Sequence, residues 1–217
     1  MKRTFLAIAL SIFTLGAMAQ VRPSVIVSAG YQGANISTSK EGDKMGNSVK
    51  SGFRVGAALD LAVADLGPAV FSIQPGLYYS TKGAKSASEG DNSKGEIKTT
   101  LGYVELPILA NFAFNVADGF GVFVNAGPYL AYGVNTTTSG SGTLLGITIN
   151  SESKDNLFKE DGGLYKPFDA GIQVGAGAEY RNILLGVGSQ FGLADMSRVD
   201  NLTQKNINFF VSLGYRF

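Results

Sequence analysis

The sequence contains no cysteine and no histidine among its 217 residues. The absence of cysteine excludes a disulfide framework, a thiolate metal site, a catalytic thiolate and a lipid-anchored N-terminal cysteine. The absence of histidine removes the usual base of hydrolase triads and the usual ligand of zinc sites. We therefore expect a protein that is not an enzyme and that has no cofactor and no metal.

A charge excess of either sign is also missing, since 18 Lys and Arg face 17 Asp and Glu. A nucleic-acid-binding protein shows a clear basic excess, so nucleic acid is not an expected partner. No calcium-loop or phosphate-cradling motif is present, and the glycines of residues 121–127 follow a strand pattern rather than a dinucleotide loop.

No apolar run is long enough for a transmembrane helix, and the most apolar stretch has the form of a targeting segment. Lys2 and Arg3 precede an apolar run at residues 5–15, and Ala17-Met18-Ala19 then forms a small-x-small cleavage pattern before Gln20. The run is too short to span a bilayer as a helix. The sequence predicts a signal peptide over residues 1–19, cleaved near Ala19/Gln20, and one exported domain over residues 20–217.

The clearest pattern in the chain is the alternation of its end, residues 205–217. Every second residue is apolar there, which places one strand face in an apolar medium and the other in a polar one. The segment is about as long as a tilted strand that crosses a bilayer. It ends on an aromatic residue, which resembles the terminal signature by which bacterial outer-membrane barrels are recognised for assembly. Tyr215 and Phe217 are the candidate residues of that C-terminal barrel-assembly signal.

Similar alternation recurs along the whole chain and predicts eight strands, at residues 24–32, 51–61, 70–81, 99–114, 120–134, 168–180, 183–193 and 205–217. The connections between them are alternately long and short, and the count is even. This pattern is typical of an all-β, eight-stranded antiparallel up-and-down transmembrane β-barrel with short periplasmic turns and long extracellular loops. Residues 143–150 could add a ninth strand, but an odd count would put the termini on opposite sides, so we interpret them as a hairpin outside the membrane.

Alternation alone also fits a soluble calyx whose apolar face lines a ligand cavity. The lysines after residue 19 lie in predicted loops or at strand edges, and the polar strand face is mostly Gly, Ser, Gln and Asn. Small residues suit the narrow interior of eight strands, so we expect lipid on the apolar face. The interfacial girdles would then contain Tyr31, Phe53, Tyr79, Phe112, Phe114, Tyr132, Phe168, Tyr180 and Tyr215.

A few charges fall on the predicted inner face: Arg54, Asp60, Glu105, Asp169, Glu179 and Arg216. A lone charge in a dehydrated lumen is costly, so these side chains should pair in a polar network that plugs the barrel. Buried ionisable groups at membrane depth also mark proton or ion paths, which is the sharper alternative. Glu105 and Asp169 could suggest acid–base catalysis, but no nucleophile motif supports it.

Prolines occur inside three predicted strands, at Pro75, Pro107 and Pro128. Because proline cannot donate to the backbone ladder, each should mark a bulge or a gap in pairing. By simple parity Pro107 would face the lumen, unless a bulge nearby changes its direction.

The segments YVELPIL at residues 103–109 and VNAGPY at residues 124–129 resemble the Bacteroidetes-type outer-membrane β-barrel family that includes the PorT-like proteins. Asp169, the GAGAEY segment at residues 175–180 and the closing LGYRF segment fit the same family. The resemblance implies an eight-stranded barrel in the outer membrane of a Gram-negative bacterium. PorT itself is tied to assembly of a secretion system, a role that these motifs do not transfer.

The leading hypothesis is a monomeric, non-enzymatic outer-membrane barrel with a plugged polar lumen. Its partners would be outer-membrane lipid, the barrel-assembly machinery during biogenesis and an extracellular partner bound through loops 33–50, 82–98 and 135–167. A narrow pore is an alternative, although Tyr78, Phe123 and Tyr129 point inward and leave little open bore. A lipid-modifying enzyme and a secretion accessory of the PorT-like type are further alternatives.

Overall fold

The computed structural model describes residues 23–40, 43–45, 49–90, 93–144, 147–153, 157–158, 163–199 and 202–217, so the predicted signal peptide lies outside the described residues. This part of the chain contains ten strands: β1 Pro23–Lys40, β2 Asp43–Met45, β3 Lys50–Asp65, β4 Ala69–Gly90, β5 Ser93–Ala117, β6 Phe120–Leu144, β7 Ile147–Ser153, β8 Phe168–Tyr180, β9 Ile183–Gly192 and β10 Leu202–Arg216. No helix among these residues has the length and apolar character needed to cross a membrane.

Eight of these strands form a closed antiparallel barrel in the order β1, β3, β4, β5, β6, β8, β9 and β10. The last strand pairs with the first, from Ile26 opposite Arg216 to Lys40 opposite Leu202, and this seam closes the wall. The predicted eight-stranded up-and-down architecture is confirmed.

The two remaining strands lie off the wall, beyond the extracellular ends of the barrel strands. β2 pairs with the end of β1, and β7 pairs with residues 138–144 of β6. Lower on the same strand, residues 120–132 of β6 pair directly with β8. Residues 143–144 and 147–150 therefore belong to the paired ends of β6 and β7 and not to a ninth wall strand, while residues 145 and 146 of the predicted hairpin lie outside the described residues.

Several strands run further outward than the alternation predicts. β1, β4, β5 and β6 include residues 33–40, 82–90, 93–98 and 135–144, which were expected to be loop. The ladder between β4 and β5 continues up to Gly90 opposite Ser93. Above the membrane both sheet faces meet water, so the apolar–polar period that identifies a half-buried strand disappears although the backbone pairing continues.

The two faces of the wall differ as predicted for a membrane barrel. Along β9, Ile183, Leu185 and Val187 are exposed on the outside, whereas Leu184 between them is buried. The buried polar side chains of the lumen include Gln32, Gln74, Asn111, Gln173, Gln190, Asn206 and Asn208. A soluble calyx would show the opposite arrangement, so the apolar outer face is the lipid face.

Aromatic side chains form two rings on this outer face. The upper girdle consists of Tyr31, Phe53, Tyr79, Tyr132, Phe168 and Phe209, and the lower girdle of Phe112, Phe114, Phe120, Tyr180, Tyr215 and Phe217. Neighbouring rings are close, with centroids 5.8 Å apart for Phe53 and Tyr79. From Phe168 to Tyr180 a strand tilted by about 40° rises roughly 30 Å, the thickness of a bilayer core.

The three strand prolines interrupt the ladder without a bulge. The β3–β4 pairing has a gap at Pro75, the β4–β5 pairing has one at Pro107, and the β5–β6 pairing has one at Pro128. The register is the same on both sides of each gap, so each proline costs pairing but no extra residue. Pro107 is buried and lines the lumen, as its parity predicts.

Candidate functional site

The upper part of the lumen is crossed by an ionic cluster, named here the upper network, of Arg54, Lys82, Glu105 and Asp169. Lys82 Nζ lies 2.8 Å from Glu105 Oε1 and 3.2 Å from Asp169 Oδ2. Arg54 Nε lies 3.4 Å from Glu105 Oε2. The four side chains come from β3, β4, β5 and β8, are at most 7% exposed, and carry two charges of each sign. Opposite charges from four strands therefore neutralise one another across the barrel.

Lys82 is the member of this network that the sequence pattern placed in a loop, and that prediction is wrong. β4 continues past Thr81, and the period of two puts Lys82 on the same inner face as Tyr78 and Ser80. The available signal was electrostatic: the predicted inner face carries four carboxylates, Asp60, Glu105, Asp169 and Glu179, but only the two cations Arg54 and Arg216, so a further cation was needed.

Amide and hydroxyl side chains satisfy much of the upper network. Gln190 Nε2 donates to Glu105 Oε2 and to Gln173 Oε1, both at 3.0 Å. Ser80 Oγ donates to Glu105 Oε1 at 2.8 Å, and Asn206 Nδ2 donates to Asp169 Oδ2 at 2.8 Å. Hydrogen bonds of this kind offset the desolvation of buried carboxylates.

Both cations of the upper network also lie against aromatic rings. The Lys82 ammonium is 4.6 Å from the ring centre of Tyr129, and the Arg54 guanidinium is 3.9 Å from that of Tyr78. The inward position of Tyr78 and Tyr129 agrees with the sequence. The rings fill the bore around the charges and add a cation–π attraction.

An apolar cluster, named here the lid, covers the upper network on the extracellular side: Ile36, Leu101, Tyr103, Tyr129, Ala131, Phe158 and Met196. The Phe158 ring packs edge-on against Tyr103 at 5.5 Å. Tyr103 Oη donates to Met196 Sδ at 3.3 Å. Phe158 and Met196 come from loops, so two extracellular loops reach back into the barrel mouth.

The two loops that supply the lid are tied together by backbone contacts. Tyr165 and Ser197 form an antiparallel bridge, and the Lys166 N–H donates to the Met196 carbonyl at 2.8 Å. The Asp195 carboxylate accepts from the N–H groups of Ser197 and Gln204 at 3.0 and 2.9 Å. Partial burial alone would raise the pKa of Asp195, but these donors outweigh it and hold the pKa below its ordinary value.

Beneath the upper network lies a cavity of about 80 Å³, lined by polar groups such as Gln74, Asn111 and Asn125 and by Phe123. The amide oxygens of Asn111 and Asn125 are buried without a protein hydrogen-bond partner. A cavity of this size, with polar groups in its lining, has room for a few water molecules, which would satisfy such groups.

A second ionic cluster, the lower cluster, lies at the level of the lower girdle. Arg216 donates from Nε and one terminal nitrogen to the two oxygens of Glu179 at 2.8 and 2.9 Å. Its other terminal nitrogen donates to Asp60 and to Ser24 Oγ, the latter at 2.9 Å. Below it, a cavity of about 590 Å³ opens at the periplasmic rim.

The six charges predicted from the sequence thus fall into two groups. Arg54, Glu105 and Asp169 meet in the upper network, directly beside the outer-face residues Phe53, Val104 and Phe168 in sequence, while Asp60, Glu179 and Arg216 meet in the lower cluster. No predicted inner-face charge is isolated. Glu105 and Asp169 are fully buried and paired with Lys82, an arrangement that binds strands together and offers no solvent-accessible general base.

Comparison with known proteins identifies the architecture. The family described as "Outer membrane protein beta-barrel domain" matches residues 18–198 of the chain. No curated protein matches its sequence.

Solved structures of similar form include three bacterial proteins. Ail, the attachment invasion locus protein of Yersinia pestis, in complex with the heparin analogue sucrose octasulfate, is 13% identical, with 90% of this chain and 99% of Ail covered and a TM-score of 0.35. Neisserial surface protein A is 15% identical, with coverages of 88% and 95% and a TM-score of 0.42. The N-terminal barrel domain of Pseudomonas aeruginosa OprF is 13% identical, with coverages of 91% and 100% and a TM-score of 0.37.

Proposed function

The chain belongs to the outer membrane protein beta-barrel domain family and is an outer-membrane protein of a Gram-negative bacterium; on that premise we propose that it is a non-enzymatic barrel, closed to solutes, that works through its extracellular strands and loops. The closure of the lumen carries this proposal. The lid, the upper network and the lower cluster follow one another along the barrel axis. Passage of solutes along the bore is blocked at three levels. We therefore assign the function to the extracellular end of the barrel.

That surface is larger and more regular than a set of loops. Above the upper girdle, β4, β5, β6 and β7 continue as one hydrogen-bonded sheet. The sheet is rich in Ser and Thr, with Lys85 and Lys98 paired to Glu96 between them. A polar, ordered sheet that stands outside the membrane suits contact with an extracellular partner.

The test removes part of this sheet and leaves the wall intact. We would replace residues 140–151 by a two-residue Asn-Gly turn, which deletes the tip of the β6–β7 hairpin, and measure binding of expressing cells to host matrix and to neighbouring cells. The deletion removes the pairing of residues 140–144 of β6 with residues 93–97 of β5, whereas the remaining β5–β6 pairs and all β6–β8 pairs lie below this cut. Lost binding with an unchanged amount of folded barrel supports the proposal, and unchanged binding contradicts it for this hairpin.

A matched control keeps the hairpin and changes the extracellular surface at another position. Lys166 lies in a lid loop and is half exposed, so Lys166→Ser alters the extracellular surface without touching the β6–β7 hairpin. Binding should survive this substitution.

Closure is tested by planar-bilayer recording of the purified barrel. We expect no steps of conductance from the wild-type protein, because the buried side chains of the upper network and the lid fill the bore in the part of the chain that the structure describes. Regular steps from the wild type would contradict the closed barrel and favour a narrow pore.

Two more specific proposals, a cleaved signal peptide and placement with the PorT-like proteins, rest on the N-terminal segment and the family motifs. Cleavage near Ala19/Gln20 is supported by the small-x-small pattern, and N-terminal sequencing of the mature protein checks it. The YVELPIL segment supports placement with the PorT-like proteins of Bacteroidetes. A secretion role would leave cargo in the periplasm when the gene is deleted, and normal secretion in the deletion strain would exclude it.

A further inference from the structure

Arg216, the penultimate residue, reaches over its neighbouring strands on both sides. The immediate neighbours of β10 are β9 and β1. Glu179, which accepts from Arg216 at 2.8 and 2.9 Å, lies on β8, one strand beyond β9. Asp60, which also accepts from Arg216, lies on β3, one strand beyond β1. One side chain on β10 therefore spans five consecutive strands of the wall and bonds to three of the others, β8, β1 and β3.

These five strands contain the seam at which the last strand meets the first. The seam pairs Ser28 with Gly214 and Gly30 with Ser212. A slip of one residue would turn the apolar face of β10 into the lumen, and the alternation forbids it. A slip of two residues keeps every apolar side chain outside, so the alternation does not exclude it.

Near the lower cluster, shape does not exclude the two-residue slip either, although higher up the seam the Phe209 ring covers Gly33 and favours the native register. The inward residues of this part of the seam are small: Ser28, Gly30, Ser212 and Gly214. Higher up, the contact of β10 with β3 is the Phe210 ring near the Arg54 guanidinium, at 4.8 Å. A ring face is a broad, weakly directional partner, which tolerates displacement better than a hydrogen-bonded ion pair does.

The lower cluster does discriminate between registers. A slip of two residues moves β10 along β1 by about 6.7 Å, which is more than twice a hydrogen-bond length. Arg216 would keep Glu179, which is fixed through β9, but would lose Asp60 and Ser24 on the far side of the seam. We infer that Arg216, by bridging Glu179 and Asp60 across the seam, sets the register in which the barrel closes.

Disulfide trapping in the outer membrane reads this register directly, because the chain has no cysteine of its own. Ala29 lies opposite Leu213, and Tyr31 lies opposite Val211. The double variant A29C/L213C reports the native register, A29C/V211C reports a slip in one direction, and Y31C/L213C reports a slip in the other. In the otherwise wild-type chain we expect oxidation of the native pair alone.

In the Arg216→Met background we expect the yield of a slipped pair to rise by about tenfold, the change that loss of one charge-assisted hydrogen-bonded pair produces. Arg216→Lys, which keeps the charge, should restore much of the native register. Lys82→Met is the matched control, since Lys82 also bridges two buried carboxylates but lies on β4, away from the seam. In the Lys82→Met background we expect a disulfide in the native pair only.

Two results would overturn the inference. One is that the Arg216→Met background still gives only the native crosslink. Arg216 would then be a stabilising contact without influence on register. The other is equal slippage in Lys82→Met. If Arg216→Met does not reach the membrane, the same pairs are read in Asp60→Asn, which keeps the Arg216–Glu179 pair. A purely native register there also contradicts the inference.

Discussion

At the residue scale, Lys82 determines whether the upper network is neutral. Removing it as Lys82→Met leaves Glu105 with Arg54 and strands the Asp169 carboxylate without a cation. Loss of one partner of a buried ion pair costs about 3–5 kcal/mol, because the remaining charge stays desolvated. We expect a corresponding fall in the free energy of unfolding, measured by urea titration of the folded band on gels.

Two further substitutions distinguish the effect of the Lys82 charge on stability from the effect of its size. Lys85→Met removes a partly exposed lysine on the outer side of the same strand and should change stability by less than about 1 kcal/mol. Lys82→Met combined with Asp169→Asn removes the stranded charge and should recover part of the loss. Equal instability of Lys82→Met and Lys85→Met would show that Lys82 acts by packing alone.

At the element scale, the lid depends on a close approach between β6 and a loop. A Cβ atom on Gly133 would lie 2.3 Å from the Phe158 ring, which is far inside van der Waals contact. Gly133→Val should therefore expel Phe158 from the barrel mouth and loosen the loops joined at Tyr165 and Ser197. The expected result is faster trypsin cleavage after Arg198 on intact cells, because Arg198 Nε donates to the Tyr165 carbonyl between the two lid loops.

The control for this prediction is Gly142→Val on the same strand, where no atom lies within 4 Å of the added Cβ. Its cleavage rate should match that of the wild type. Unchanged cleavage in Gly133→Val would mean that the lid loops are held in place without Phe158.

Contact with lipid determines which strands could be predicted from the sequence. Along β9 one face meets lipid and the other the lumen, so alternation reveals the strand and its parity. The outer halves of β4, β5 and β6 meet water on both faces and leave no such record. The same loss of signal explains why the inward position of Lys82 was not predicted, since it lies just past the last clear alternation. No local pattern in the sequence indicates that Phe158 and Met196 pack in the barrel mouth.

At the scale of the whole molecule, closure of the wall removes every free edge from the membrane-spanning part. Each barrel strand has two partners, and the last ladder to complete the ring is the one between β1 and β10. Unpaired backbone groups cannot be solvated inside a bilayer, so the wall gains its stability only when this ladder forms. A closed barrel of this kind should resist SDS until it is boiled.

We therefore expect the outer-membrane fraction to show a faster-migrating band in unboiled samples than in boiled ones. Deleting residues 202–217 removes β10 and leaves β1 and β9 with open edges, so no fast band should remain. The hairpin deletion at residues 140–151 keeps all eight wall strands and should retain the shift. A fast band in the β10 deletion would mean that seven strands close by themselves, whereas its absence from the hairpin deletion would mean that the extracellular sheet, and not the seam, completes the fold.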